Sequence, residues 1–288
     1  MAAVLRVEDK SLASSDNPSD EFNANALQEL DFGIYEGDFA YWTSLIAERR
    51  PRNLLELGCG FGRLVTPMTQ AGMAASESFQ TVGLDISASH LATAAKRLAQ
   101  DPQIAERVTL LEADMTSFKI TKPGSQEREL FDLIVIACNG FGFLTGQQAQ
   151  LDCLTRVREH LSADGVLAMD LIVPQLSYLT LAEKGSPLRM GRNVHDPVPG
   201  IRRLLRFDSG RYDAINQIDY DTYLYEIHMA DGRVERRALD LTWQMVFPNE
   251  LELLMKLAGL KVVERYGDLE RGPFDRHSQF YLWVIEAA

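Results

Sequence analysis

Glu56-Leu57-Gly58-Cys59-Gly60-Phe61-Gly62-Arg63 sets three glycines on alternate positions behind an acid, at the end of a short apolar run. The helix-like spacing of Leu64, Val65 and Met68 follows at once. That pattern reads as a buried parallel strand, a tight turn, and a helix whose N-terminus is left open. Glycines let such a turn reach backbone angles that other residues resist and let a ligand lie against bare backbone. Two further acids extend the pattern. Thr81-Val82-Gly83-Leu84-Asp85-Ile86-Ser87 is a second apolar strand ending in an acid, with Ser87 placed to cap the next helix. An acid at that tip can accept both ribose hydroxyls of a nucleoside cofactor, with Ile86 beside it. Val108-Thr109-Leu110-Leu111-Glu112-Ala113-Asp114-Met115 is a third strand of the same kind. Asp114 suits an adenine amino group, and the backbone beside Met115 suits the ring edge.

The runs LLELGCGFGR, VGLDIS and LLEADM together resemble the class I S-adenosylmethionine-dependent methyltransferases. Phe131-Asp132-Leu133-Ile134-Val135-Ile136-Ala137-Cys138-Asn139 is similar to the family's fourth strand. Residues 161–171 are similar to its L-x-P-G-G turn and fifth strand, with Ala163-Asp164 in place of Pro-Gly. The resemblance runs from about Tyr35 to the C-terminus and implies S-adenosyl-L-methionine as cofactor. Within it, Glu56 lies near the amino end of the methionine tail, Arg63 is a candidate partner for its carboxylate, and Gly58, Gly60, Gly62, Asp85, Ile86, Asp114, Met115 and Cys138 complete the cofactor site. A dinucleotide-binding oxidoreductase is the rival. Its G-x-G-x-x-G leaves room for a pyrophosphate, but here Gly62 comes one residue early and Arg63 stands where the third glycine belongs.

The elements that must hold these residues follow the same signals. Strand–helix alternation from residue 53 to about 173 predicts a parallel sheet with helices on both faces. Gly259 ends a helix opened by Pro248, and strands follow over 260–266 and 279–286. The family resemblance makes the last strand antiparallel, giving a seven-stranded Rossmann-like α/β sheet. Between them, period-two runs around Arg203–Phe207, Ile218–Leu224 and Leu239–Phe247 predict an antiparallel meander of about four strands, punctuated by Ser209-Gly210 and Asp231-Gly232. The expected organisation is a mobile tail (1–20), a helical lid (21–50), the cofactor core (51–173), a loop and inserted sheet (174–247), and a C-terminal completion of the core (248–288). Asp38 is placed to cap a helix over 38–47. The resemblance to the bacterial sugar-amine and glycine N-methyltransferases implies that the inserted sheet is a substrate lid or the surface of a homodimer.

Composition narrows the partner. The 288 residues carry 41 Asp and Glu against 29 Lys and Arg, a net charge of −12. Proteins that grip nucleic-acid backbone cluster basic residues, so the balance favours a small-molecule acceptor over DNA or RNA. No apolar run reaches the length of a membrane span and the start lacks the apolar core of a signal peptide, so a cytoplasmic protein is expected. The three cysteines show neither disulfide nor metal spacing.

Chemistry at such a site is alignment of acceptor and sulfonium methyl, with a base needed only for a protonated acceptor. His195, beside Asp196 in the region read as a loop, is the candidate base; Asn139 and Tyr35 complete the catalytic set. Tyr35, Trp42, Asn139 and Phe141 are the expected acceptor contacts, with core packing as the competing role for Trp42. Asp170 matches one metal position of catechol-type enzymes, but the partner position is Cys138 or Asn139, so no metal is expected. An RNA-modifying enzyme and a cofactor-binding module without catalysis are the alternative functions.

Overall fold

In the computed structural model, residues 4–6, 18–183, 185 and 187–288 are described. The chain opens with β1 (Val4–Arg6), α1 (Pro18–Phe32) and α2 (Phe39–Arg49). The core then runs β2 (Asn53–Leu57), α3 (Val65–Ala75), β3 (Gln80–Asp85), α4 (Ala88–Leu98), α5 (Pro102–Ala105), β4 (Val108–Glu112), β5 (Phe131–Ile136), α6 (Gln147–His160) and β6 (Leu161–Ile172). Helix α7 (Leu176–Glu183) leads into β7 (Arg189–Val198), β8 (Ile201–Asp213), β9 (Ile218–Met229) and β10 (Val234–Gln244). Helix α8 (Pro248–Leu257), β11 (Leu260–Tyr266) and β12 (Phe280–Ala287) close the chain.

The large sheet has the order β1-β4-β3-β2-β5-β6-β12-β11, with β12 antiparallel to both neighbours. Seven of these strands are the expected core; β1 adds an eighth at the edge, parallel to β4, within the stretch read as a tail. Residues 18–20 of that stretch begin α1, and 1–3 and 7–17 lie outside the described residues. Strand order reverses beside β2, which separates β3 from β5, and ligands of open α/β sheets bind at the carboxyl ends beside such a reversal. Both faces are covered, which is why the central strands read as unbroken apolar runs. Leu55, Leu57, Ile134, Ile136 and Trp283 face α6 and α8, while Leu54, Leu133, Val135 and Leu282 face Trp42, Ile46 and Met68 of α2 and α3.

The insert is a four-stranded antiparallel meander, β10-β9-β8-β7. Asp231-Gly232 is a turn, with Gly232 at φ 90° and Met229 N donating to the Arg233 carbonyl. Ser209-Gly210 is not: it lies within β8, and residues 189–198, expected as loop, are the strand β7. The insert also packs on α1. Leu27 joins the cluster of Leu204, Tyr225, Ile227 and Trp243, and the buried Asp31 accepts from Arg192, Arg206 and the Tyr225 hydroxyl at 2.7, 2.7 and 2.9 Å. Among the described residues no helix is long and apolar enough to cross a membrane.

Candidate active site

The turn after β2 is built from its own backbone. Gly58, Gly60 and Gly62 stand at φ 72°, 52° and 74°. The N–H groups of Gly58 and Cys59 donate to the Leu84 carbonyl at 2.8 and 2.9 Å, tying the turn to the tip of β3. A Cβ on Gly60 would meet nothing within 4 Å, so that face is open to a ligand; on Gly62 it would lie 2.9 Å from Ala94 Cβ, where α4 presses close. Asp85 accepts from Gly60 N at 2.7 Å and from Ser87 N at 2.9 Å, one bond to each oxygen, which leaves a second lone pair on each. Ser87 caps α4 by accepting from His90 N at 3.3 Å. Asp114 Oδ1 accepts from Thr116 N and Oγ1 at 2.7 and 2.8 Å, fixing the turn after β4. Ile86 is 54% exposed, and Met115 Cε lies 3.4 Å from where a Gly58 Cβ would stand. Beneath the turn, Glu56 is buried with Oε2 unpartnered. Burial pushes its carboxyl up to about 8, with Arg63 opposing the shift.

Across the reversal, Cys138 and Asn139 end β5 in the left-handed region, at φ 54° and 58°. Such positions cost about 1–3 kcal/mol each without glycine and need fixing by their surroundings. Asp170 does the fixing, accepting Cys138 N at 2.7 Å and Asn139 N at 3.1 Å, while Asn139 Oδ1 accepts Ile172 N at 3.1 Å. Burial pushes Asp170 up to about 6, and the Asn139 and Cys138 amides oppose it. Arg63 joins the two halves. It grips Asp38 at 2.6 and 2.8 Å, donates to the Tyr35 carbonyl at 2.9 Å, and touches Cys138 Sγ at 2.5 Å.

Beside this seam lies a cavity of about 610 Å³. Tyr35 and Asp38 border it from the connection between α1 and α2, Cys138, Asn139 and Asp170 from the strand ends, and Tyr178, Arg189, Arg206, Asp219, Asp221 and Trp243 from the insert.

Residues 55–167 match the family model of a methyltransferase domain. The chain carries a methyltransferase domain. Its solved neighbours share the fold. The CcbJ methyltransferase of Streptomyces caelestis aligns at TM-score 0.71 and 21% identity, over 88% of this chain and 97% of that one. An S-adenosylmethionine-dependent methyltransferase of Clostridium acetobutylicum aligns at 0.70 and 14%, over 94% and 100%. CalS10 of Micromonospora echinaspora, an amino pentose methyltransferase solved with its cofactor bound, aligns at 0.61 and 15%, over 96% and 99%. No curated protein sequence matches the chain.

S-adenosylmethionine is the cofactor of the solved neighbours named for it, and the residues present here fit it. The open face of Gly60, the spare lone pairs of Asp85, the exposed side chain of Ile86 and the orphaned Glu56 oxygen suit a ribose, a ring face and an ammonium in turn. No acidic or thiol cluster of metal-binding size occurs among the described residues, and both Asp170 oxygens face backbone amides.

Several expected residues stand elsewhere. Arg63 holds a carboxylate, but it is the internal Asp38, whose own side chain makes no cap bond to α2. Trp42, 1% exposed, and Phe141, fully buried, pack in the core and do not border the cavity. His195 is exposed in β7, paired with Arg203 in the ladder, and borders a separate hollow with His228. It lies three residues beyond Arg192, about 10 Å along the strand, which carries it away from the seam. Asn139 and Tyr35 do border the cavity. The sequence reading missed Asp31, Tyr178, Asp219 and Asp221. The one signal for the last two was their same-face spacing on a strand otherwise apolar at alternate positions.

Proposed function

We propose that this methyltransferase moves the methyl group of S-adenosylmethionine to a nitrogen or oxygen of a small molecule held in the cavity between the strand ends and the insert. The observation that carries this reading is the cavity itself: its volume of about 610 Å³ is in the range for small-molecule sites, and the strained Cys138–Asn139 loop forms its floor. The bound sulfonium supplies a methyl group already attached to a good leaving group. The protein's part is alignment, which turns a two-body encounter into a near-attack geometry. Asp170 holds Cys138 and Asn139 at the seam, and Arg63 fixes Asp38 and the Tyr35 backbone over it. The insert acts as a lid, anchored to α1 through Asp31. Two arginines of the cavity wall, Arg192 and Arg206, are neutralised by Asp31 and Asp208, which with the chain's net charge of −12 argues against an RNA groove.

Calorimetric titration should give one cofactor site per chain, and incubation with labelled cofactor and a panel of small amines and alcohols should yield a product heavier by one methyl group. Label appearing in bulk RNA and in none of the small molecules would contradict this reading.

A further inference from the structure

The insert wall holds an arrangement that the cofactor site leaves unused. Asp219 and Asp221 lie two residues apart on β9 and so share a face, and Tyr178 reaches them from α7. The Tyr178 hydroxyl donates its proton to Asp221 Oδ1 at 3.0 Å. Asp219 is fully buried, and apart from the nearby Tyr178 hydroxyl neither of its oxygens has a hydrogen-bond donor in reach. Asp221 and Tyr178 also press on Gly210 of β8, with Asp219 just behind them. A Cβ there would lie 2.4 Å from Asp221 Oδ1, 2.8 Å from the Tyr178 hydroxyl and 3.4 Å from Asp219 Oδ1. A glycine within a strand weakens it and marks a place where something must approach the backbone.

We propose that Asp219, Asp221 and Tyr178 form a subsite that receives a protonated amine of the acceptor. The proposal rests on reading this cavity as the acceptor site. A buried carboxylate without partner costs several kcal/mol unless a cation meets it. The cavity's own cations do not meet it: Arg192 and Arg206 are bound to Asp31, and Arg206 also to Asp208. Arg189 lies over the Tyr178 ring at 4.8 Å, from where its charge opposes the rise of the Asp219 carboxyl, but among the described residues no lysine or arginine forms an ion pair with Asp219 or Asp221. Burial pushes Asp221 up to about 6 and raises Asp219 too, as expected of paired acids awaiting a positive charge. An ammonium offers three donors to three convergent oxygens. A divalent ion wants six or more oxygens and finds two carboxylates.

The test compares cyclohexylamine with cyclohexanol, near-isosteres that differ in charge, by ligand-observed NMR on the full chain saturated with the demethylated cofactor. The amine should bind at least tenfold more tightly than the alcohol. Asp219→Asn should bring the two together, and Gly210→Ala, which must push Asp221 and Tyr178 aside, should weaken the amine. Tyr178→Phe, which keeps the ring, should weaken the amine several-fold and serves if Asp219→Asn fails to fold. Equal binding of amine and alcohol to the wild type would overturn the subsite while leaving the cavity as the acceptor site. Binding of neither, with the demethylated cofactor bound, would overturn the subsite and count against the cavity reading as well. Displacement of the amine by magnesium or calcium would overturn it in favour of a metal.

Discussion

The two walls of the methyl-transfer seam treat their acids in opposite ways. On the strand-end wall Asp85, Asp114 and Asp170 each accept backbone N–H groups within 3.1 Å, so their charges fix loops. On the insert wall Asp219 and Asp221 face side chains instead, the Tyr178 phenol and, for Asp221, the Trp243 indole. Of the strand-end acids Glu56 alone keeps an unpartnered oxygen, whereas on the insert wall the buried Asp219 charge is met by no backbone donor. On the proposed reading the first wall is a preorganised cradle for the cofactor and the second a charged wall for the acceptor.

The largest effect should come from the anchor of the insert on α1. Asp31→Ala leaves Arg192 and Arg206 without their shared carboxylate, and losing one member of a buried ion pair costs about 3–5 kcal/mol. Urea unfolding should show it; a loss below about 1 kcal/mol would mean that α1 does not anchor the insert.

Next, Asp85→Ala should weaken cofactor binding by about 1.5–3 kcal/mol in calorimetry, the scale of a charge-assisted hydrogen bond. Unchanged affinity would remove the ribose from Asp85.

Replacing acids by amides tests the contrast itself. Asp85→Asn gives up a carboxylate oxygen that accepts a backbone N–H and should destabilise by about 1–2 kcal/mol near pH 8. Asp221→Asn should stabilise by on the order of 1 kcal/mol there. Its folded value of about 6 lies above the ordinary carboxylate value, so the native state holds the extra proton between about pH 4 and 6. The penalty for its charge is therefore full above about pH 6 and gone below about pH 4, and the gain in the variant should shrink over that window. The same sign for both substitutions at pH 8 would erase the distinction between the walls.

A smaller effect belongs to Glu56. With its carboxyl up at about 8, it is protonated at pH 6, and meeting an ammonium requires that proton to leave. Cofactor affinity should rise by no more than about tenfold per pH unit from 6 to 8 and then level off, with proton release seen in buffers of different ionisation enthalpy. Glu56→Gln should flatten the curve. Smallest of all, His195→Ala should change methyl transfer by less than about twofold, far below the range of a general base.

Legibility followed the same division. Glu56 to Arg63, Asp85 and Asp114 lie at consecutive strand ends, so short-range patterns placed each one, and Ser87 caps α4 as its spacing predicts. The insert wall is set by pairing register and by contacts across 175 residues, as between Asp31 and Arg206, which no local window contains. Ser209-Gly210 reads as a turn because glycine usually marks one; here Gly210 makes room for carboxylates from the next strand. His195 reads as a base because its acidic neighbour is visible in sequence and its direction along β7 is not. Trp42 and Phe141 read as lining because aromatic residues near a site serve either role, and burial alone decides.

Hydrogen exchange read by mass spectrometry, with and without S-adenosylmethionine, tests the central claim most directly. New protection is expected at residues 56–63, 84–87, 113–116 and 137–140, the carboxyl ends of β2 to β5, with the strands of the insert little changed until an acceptor is added. Protection confined to the insert, or none at the glycine turn in a sample that binds the cofactor, would contradict it.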